Sequence, residues 1–438
     1  MKITASVKEN QTYFDKRLQV DQSFDLISRP LQVGGRDAVL YFINGFCGED
    51  IMQKMLQYFL GVKATEMPRD AERMIRTLVP HVEVSLSDDW DFLTHNVLSG
   101  LVLLLIDGYT EGIIIDARDY PARGVDEPDK DKVLRGSKDG FVETVIQNTA
   151  LIRRRIRSTD LHLEILNAGK SSETDIVLCY MDSRVDHDFL EEIRKRIHNI
   201  QVDALTLNQE SLAECIYHRR WYNPFPKFKF TERPDTASAQ ILEGDIVILV
   251  DNSPSAMILP TSIFDMLEEA DDYYFPPVTG SYLRIARFLI ALMTYLLTPT
   301  FLLFTMYPQW LPSGFSFILV QDTVNIPLLA QFLLLELAID GLKLAAINTP
   351  NMLSTPLSVM AALVLGEFSV NSGWFNAEVM LYMAFVAIAN YTQNSYELGY
   401  AMKFMRIITL ITTSFLGVWG YIGGIIFTFC CLLFNKTI

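Results

Sequence analysis

Apolar and polar positions in the first part of the chain switch between a two-residue and a three-to-four-residue period. "AVLYFI" (38–43) reads as a strand and "EDIMQKMLQYFL" (49–60) as an amphipathic helix. "LVLLLI" (101–106) and "GIIIDA" (112–117) read as strands around the turn "DGYTEG". The segment "PARGVDEPDKDKVLRGSKDG" (121–140) is charged, rich in Pro and Gly, and reads as a linker. A second set follows, with a helix near 141–157, strands "LHLEIL" and "DIVLCYM", and a helix "DFLEEIRKRIHNI" (188–200). After the Pro-rich aromatic loop "WYNPFPKFKF" comes the strand "DIVILVD" (245–251). The pattern predicts a polar, weakly ordered lead-in over 1–30 and two small α/β subdomains over 31–135 and 136–280.

After "EEADDYYFPPVTGSY" the periodicity gives way to long apolar runs. Residues 285–306 are long enough to span a bilayer, since about 20 apolar residues cross its hydrocarbon core. Further spans are predicted over 326–347, 353–375 and 377–393. Residues 404–434 read either as one long span or as two half-spans broken at "GVWGYIGG". The fold class is therefore an α/β region of two subdomains followed by a helical transmembrane domain, 281–438, of about four to five spans.

Charge sharpens this division. The chain of 438 residues has net charge −15, yet from Ser281 onward it holds six Lys/Arg and six Asp/Glu, so the whole excess belongs to residues 1–280. No apolar leader opens the sequence, which places the acidic region on the cytoplasmic side. Arg284 and Arg287 flank the first span, the next loop (307–325) has no Lys or Arg, and Lys403 and Arg406 fall where an even number of crossings returns. That distribution obeys the positive-inside rule, with Trp310 and Trp374 at the opposite interface. The five cysteines form no CxxC and no ligand spacing with the six histidines, so free thiols and no metal site or cofactor are expected.

The predicted span "LAQFLLLELAIDGLKLAA" (329–346) carries Glu336, Asp340 and Lys343 at i, i+4, i+7, within roughly 60° of arc on a helix. Such a stripe turns away from lipid, because a charge at the bilayer centre costs at least about 2.5–3.5 kcal/mol. Three readings stay open: a buried salt bridge with Lys343 shared by both acids, a water-filled pathway that attracts cations, and a proton-coupled transport site. Glu367 is a second acid in an apolar run and joins either network or an interface. The polar run "NYTQNSYELGYAMKFMR" (390–406) reads as an interfacial helix end or unwound backbone, and Gly420/Gly424 have small-xxx-small spacing. "IRRRIR" (152–157), within an acidic region and without interleaved aromatics, reads as an intersubunit or intradomain ion-pair cluster and not as a nucleic-acid site. "VDNSPSAMILP" holds Asp251 and Ser253 without a histidine to complete a nucleophile set, and no phosphate-loop or GxSxG pattern occurs, so no enzyme is expected.

"RGSKDGFVETVIQNTALIRRRIRSTDLHLE" (135–164), "YNPFPKFKFTERPDTASAQILEGDIVILVDNSPSAMILP" (222–260) and "NSYELGYAMKFMRI" (394–407) closely resemble the spore germination receptor A-subunit family. "PQWLPSGFSF" and "NIPLLAQFLLLELAIDGLKLAAINTP" look more like its stage V sporulation protein AF branch than a nutrient-receptor A subunit. Family members usually continue past the last apolar segment with a Pro-rich tail, whereas this chain stops at "LLFNKTI". The resemblance implies a multi-pass protein of the endospore inner membrane, with its N-terminal domain cytoplasmic. It implies a homo-oligomeric ring, a pentamer being one size, that conducts monovalent cations early in germination beside other spore-membrane germination proteins. A non-conducting scaffold of a germination receptor complex and a nutrient-receptor A subunit are the rivals. The resemblance marks Arg153, Arg154, Arg155, Arg233, Pro234, Asp251, Pro254 and Glu397 as motif and assembly residues, and puts Glu336, Asp340, Lys343 and Glu367 on an ion pathway.

Overall fold

The computed structural model describes residues 2–79, 83–119, 136–217, 222–348, 366, 368–393 and 395–435. It divides into two compact units: Met1–His218 with Phe228–Pro260, and Arg219–Lys227 with Thr261–Ile438. The sequence pattern put its last boundary at 281; the second unit instead begins at Thr261 and takes in the loop at 219–227. Most of the linker expected over 121–140 lies outside the described residues.

The first unit holds two five-stranded sheets, antiparallel throughout. The first has β1 (Leu26–Val33), β2 (Arg36–Ile43), β3 (Val84–Ser87), β4 (Val102–Ile106) and β5 (Gly112–Ile115) in the order β1-β2-β4-β5-β3. Around it lie α1 (Val7–Leu18), α2 (Glu49–Gly61), α3 (Ala71–Thr77) and α4 (Trp90–Leu98). The second has β6 (Leu161–Ala168), β7 (Thr174–Met181), β8 (Lys229–Thr231), β9 (Ile246–Val250) and β10 (Ala256–Leu259) in the order β6-β7-β9-β10-β8. Its helices are α5 (Val145–Arg155), α6 (His187–His198), α7 (Gln209–Ile216) and α8 (Pro234–Glu243). β4, β5, β9 and β10 are buried along their whole length, so both faces of each sheet are covered.

The lead-in expected over 1–30 is corrected. Residues 7–18 form α1, which packs Val7, Phe14 and Leu18 into the core at helical spacing. Its place becomes clear from a repeat. The order α-β-β-α-α-β-α-β-β occurs twice, with the same strand order in each sheet. Equivalent hydrogen bonds recur. The Asn10 side chain closes onto Thr4 N and O at 3.0 and 2.6 Å, and the Asn148 side chain onto Val142 N and O at 2.8 and 2.6 Å. Val7 N, the first N–H of α1, donates to Asp107 Oδ1 at 3.0 Å; Val145 N, the first of α5, donates to Asp251 Oδ1 at 3.1 Å. Asp107 follows β4 as Asp251 follows β9, and the next residue in each turn, Gly108 or Asn252, has positive φ. The first unit is thus two copies of one design, with α1 the counterpart of α5.

In the second unit, two short helices, α9 (Ile263–Leu267) and α10 (Asp271–Tyr274), precede α11 (Pro277–Met306). With 30 residues and an 18-residue stretch of mean hydropathy 1.9, α11 is the helix among the described residues long and apolar enough to cross a membrane by length and composition. It is followed by α12 (Leu328–Asn348), α13 (Ala377–Tyr391), α14 (Tyr396–Leu416) and α15 (Val418–Leu433). The predicted span over 353–375 lies mostly outside the described residues, and so does Glu367. The open question over 404–434 is answered by a break at Gly417: α14 and α15 are separate helices that pack as an antiparallel hairpin. Small residues make that contact possible, since a Cβ on Gly420 would overlap the Thr412 carbonyl and one on Gly424 would stand 2.7 Å from Thr409 Oγ1. Within the polar run at 390–406, α13 ends at Tyr391, and α14 starts at Tyr396 with the Ser395 side chain capping Leu398 N.

Candidate functional site

The helical unit reverses the usual polarity of a folded chain. Leu337, Leu381, Ile388, Phe415 and Trp419 are exposed, whereas Glu336, Lys403 and Arg406 are buried at 4, 5 and 0 % exposure. Glu336 and Asp340 are one turn apart on α12, and Lys403 and Arg406 are three residues apart on α14, so each helix turns a matching pair of charges toward the other. Arg406 donates to Glu336 Oε1 through Nε at 2.9 Å and Nη2 at 2.5 Å, and its Nη1 donates to the Thr294 carbonyl of α11 at 2.8 Å. Lys403 Nζ stands 3.2 Å from Glu336 Oε2, donates to the Glu336 carbonyl at 3.2 Å, and pairs with Asp340 Oδ2. Three helices are joined through four charges that sum to zero.

This corrects the sequence reading of the stripe. Lys343 does not bridge the two acids; its Nζ lies over the rings of Tyr391 and Tyr400, at 5.2 and 5.7 Å from their centroids. The counter-charges are Lys403 and Arg406, which the positive-inside pattern had placed at a membrane flank. A single-helix view finds neighbours three, four and seven residues away; the 67- and 70-residue separations of the true pairs are invisible to it. The signal that was available is that i, i+3 bases on one apolar helix match i, i+4 acids on another. Both oxygens of Glu336 are engaged, so in this arrangement it has no lone carboxylate to offer a passing ion. Asp340 differs, with its side chain 28 % exposed and its Oδ1 without a hydrogen bond.

The helix ends sort themselves by aromatic type. At one end, Asn325 bonds the Gly373 carbonyl at 3.1 Å, the Gln331 amide reaches Asn376, and the Tyr307 ring stacks on Trp310 beside Gly417. Exposed Trp310, Trp374 and Trp419 lie there. At the other end, exposed Tyr391 and Tyr400 flank Lys343, and exposed Tyr396 opens α14. The loop read as Pro-rich and aromatic closes this end: Phe225 packs beside Met266, Tyr295 and Met402, and Asn223 donates to the Cys431 carbonyl at 3.1 Å.

The motif residues of the first unit do internal work. Arg153, fully buried, clamps Asp25 through Nε at 2.9 Å and Nη2 at 3.3 Å and also donates to the Ser158 and Leu161 carbonyls. Arg155 pairs with Asp139, and Arg154 is exposed, so the basic run is an intradomain ion-pair cluster at Arg153 and Arg155. Arg233 is buried and pairs with Asp235 at 2.5 Å; Pro234 opens α8 at its first position, where a missing N–H costs nothing. Asp251 caps α5, Pro254 is exposed in the β9–β10 turn, and Glu397 lies in the first turn of α14. A surface recess of about 470 Å³ lined by Arg29, Asn44, Cys47 and Gln53 adds no nucleophile, because burial, with the charge of Asp116 behind it, pushes the Cys47 thiol up to about 12. Among the described residues, no group of three or more His, Cys, Asp or Glu is placed to hold a metal.

The family model described as Bacillus/Clostridium GerA spore germination protein matches residues 12–438. Stage V sporulation protein AF of Bacillus subtilis (strain 168) is 36 % identical over 417 residues, 95 % of this chain and 84 % of that protein. Spore germination protein KA of the same organism is 25 % identical over 422 residues, 95 % of this chain and 77 % of the relative. Among solved structures, the N-terminal domain of the A subunit of the Bacillus megaterium spore germinant receptor GerK3 is 26 % identical, with a TM-score of 0.42, covering 59 % of this chain and 96 % of that one. The chain belongs to the GerA family of Bacillus/Clostridium spore germination proteins.

Proposed function

We propose that this chain is a multi-pass membrane subunit of the spore germination apparatus, in which the Glu336–Arg406–Lys403–Asp340 cluster locks the helices together and is not itself the ion route. The observation that carries the reading is the inverted polarity of the helical unit, charged side chains inside and Leu, Phe and Trp outside, as hydrocarbon demands. α12 and α13 run parallel, with Gln331 meeting Asn376 at one end and Lys343 meeting Tyr391 at the other. An odd number of crossings therefore separates them, which supports the span expected over 353–375. Arg284 and Arg287 at the start of α11 and the base-free stretch 307–325 favour a cytoplasmic first unit.

Cation release through a ring of copies is the second reading, favoured by one feature: Asp340 is the acid of the cluster whose side chain is partly exposed, at 28 %. Flux and stability separate the two. Purified protein is reconstituted in vesicles and assayed for potassium efflux, with melting followed in parallel. A lock predicts that Glu336→Gln and Arg406→Gln each lower the melting temperature sharply, by about 3–5 kcal/mol of stability, because the remaining charge is left buried and alone. Asp340→Asn that abolishes efflux at unchanged melting would instead make this acid part of a conducting pathway.

A further inference from the structure

Four charged groups act on Lys343: the acids Asp340 and Glu336 and the bases Lys403 and Arg406. The two pairs cancel, so the Lys343 charge is the surplus of the cluster. Its ammonium reaches no carboxylate within ion-pair distance among the described residues and rests on two tyrosine rings at the junction of α12, α13 and α14. From this point exposed apolar positions run back along two helices: Leu344, Leu337 and Leu334 on α12, and Ile388, Phe385 and Leu381 on α13. A positive charge held over two tyrosine rings, with exposed apolar positions leading away from it along two helices, complements an anionic phospholipid. We infer that Lys343, with Tyr391 and Tyr400, binds the phosphate of an anionic phospholipid whose acyl chains lie along α12 and α13.

This site rests on the membrane reading above, and the test keeps the two apart. The full chain, purified in detergent, is titrated with phosphatidylglycerol or phosphatidylcholine of matched chains while melting and retained lipid are measured; flotation with vesicles after an alkaline wash reports insertion separately. The expected result is about a fivefold preference for phosphatidylglycerol, the worth of one basic side chain at an anionic surface. Lys343→Gln abolishes the preference, Lys343→Arg keeps it, and inorganic phosphate at equal concentration gives no shift. A Lys343→Gln protein that floats with vesicles and still prefers phosphatidylglycerol equally overturns the site while leaving membrane insertion standing. A change of oligomer size in Lys343→Gln without loss of lipid preference also overturns it, assigning the residue to contact between copies. Failure of the native chain to float would instead sink the membrane reading itself.

Discussion

Single residues in this protein are governed by what burial does to charge. In the first unit, His162 on β6 is 4 % exposed, hydrogen-bonded to the Gln19 side chain and set against the edge of Tyr180, with Asp182 at 3.9 Å. Burial holds its proton affinity below the ordinary value; Asp182 and Asp160 oppose this, and Arg153 and Arg194 reinforce it. An unfolded chain takes up this proton near about pH 6.5, whereas the folded ring does so only at lower pH. Between those values the unfolded state binds more protons, so stability contributed here is complete above about 6.5 and falls as pH drops through the window, by at most about 1.4 kcal/mol per pH unit. Urea melts of the protein from pH 7.5 to 5.0 should show that loss, and His162→Phe should flatten it. An unchanged pH slope in the variant would assign the dependence to other groups. The stripe in the helical unit teaches the complementary lesson. Its charges were legible, and so was the need to hide them; their partners were not, because a buried acid is satisfied by whichever base the tertiary packing delivers.

At the scale of elements, periodicity read the strongest signals well. β2, α2, β4, β5, β6, β7, α6 and β9 all lie where alternation or helical spacing put them. β8 and β3 are three and four residues long, with one buried residue in β8 and none in β3, so their patterns never rise above those of the flanking loops. α1 was passed over because its apolar positions, Val7, Phe14 and Leu18, are few and set among charged residues, although their spacing is helical. The duplication was hidden for a different reason: what the two copies share is a set of polar bonds to the backbone, and these occupy only a handful of positions. Asp107 and Asp251 are the clearest. Neither Ser6 nor Thr144 caps its own helix, so the first N–H of α1 and of α5 depends on a carboxylate delivered from the turn after β4 or β9. Asp251→Ala and Asp107→Ala should each destabilise the first unit by about 0.5–2 kcal/mol, with near-additive effects in the double variant because the sites serve separate helices. Denaturant midpoints measure this; a neutral Asp251→Ala would mean that water replaces the cap without loss.

For the whole molecule, the acidic and the apolar regions were legible in charge and hydropathy alone, yet the seam between them was not where composition changes. It falls at Pro260, and residues 219–227, which lie between β8 and α7 in the sequence, belong to the second unit. No pattern in "YNPFPK" announces this, because its partners are remote in sequence: Asn223 bonds Cys431, and the Asn435 amide donates to the Pro226 carbonyl at 3.0 Å. Phe225, 4 % exposed, is buried among side chains of the helical unit alone. A protein ending at Pro260 therefore keeps both sheets and every strand of the first unit, while Asn223, Phe225 and Pro226 lose the helical-unit groups they touch. It should be soluble and melt cooperatively, since β10, the last strand, closes the second sheet between β9 and β8. Trypsin should cut it rapidly at Lys227, a site whose carbonyl in the full chain accepts a bond from Thr261 at 3.1 Å. Mass analysis of timed digests of the fragment and of the full chain gives the comparison. Equal protection of Lys227 in both would mean that the loop is held by the first unit, and an aggregated or non-cooperative fragment would mean that the sheets need the helices to fold.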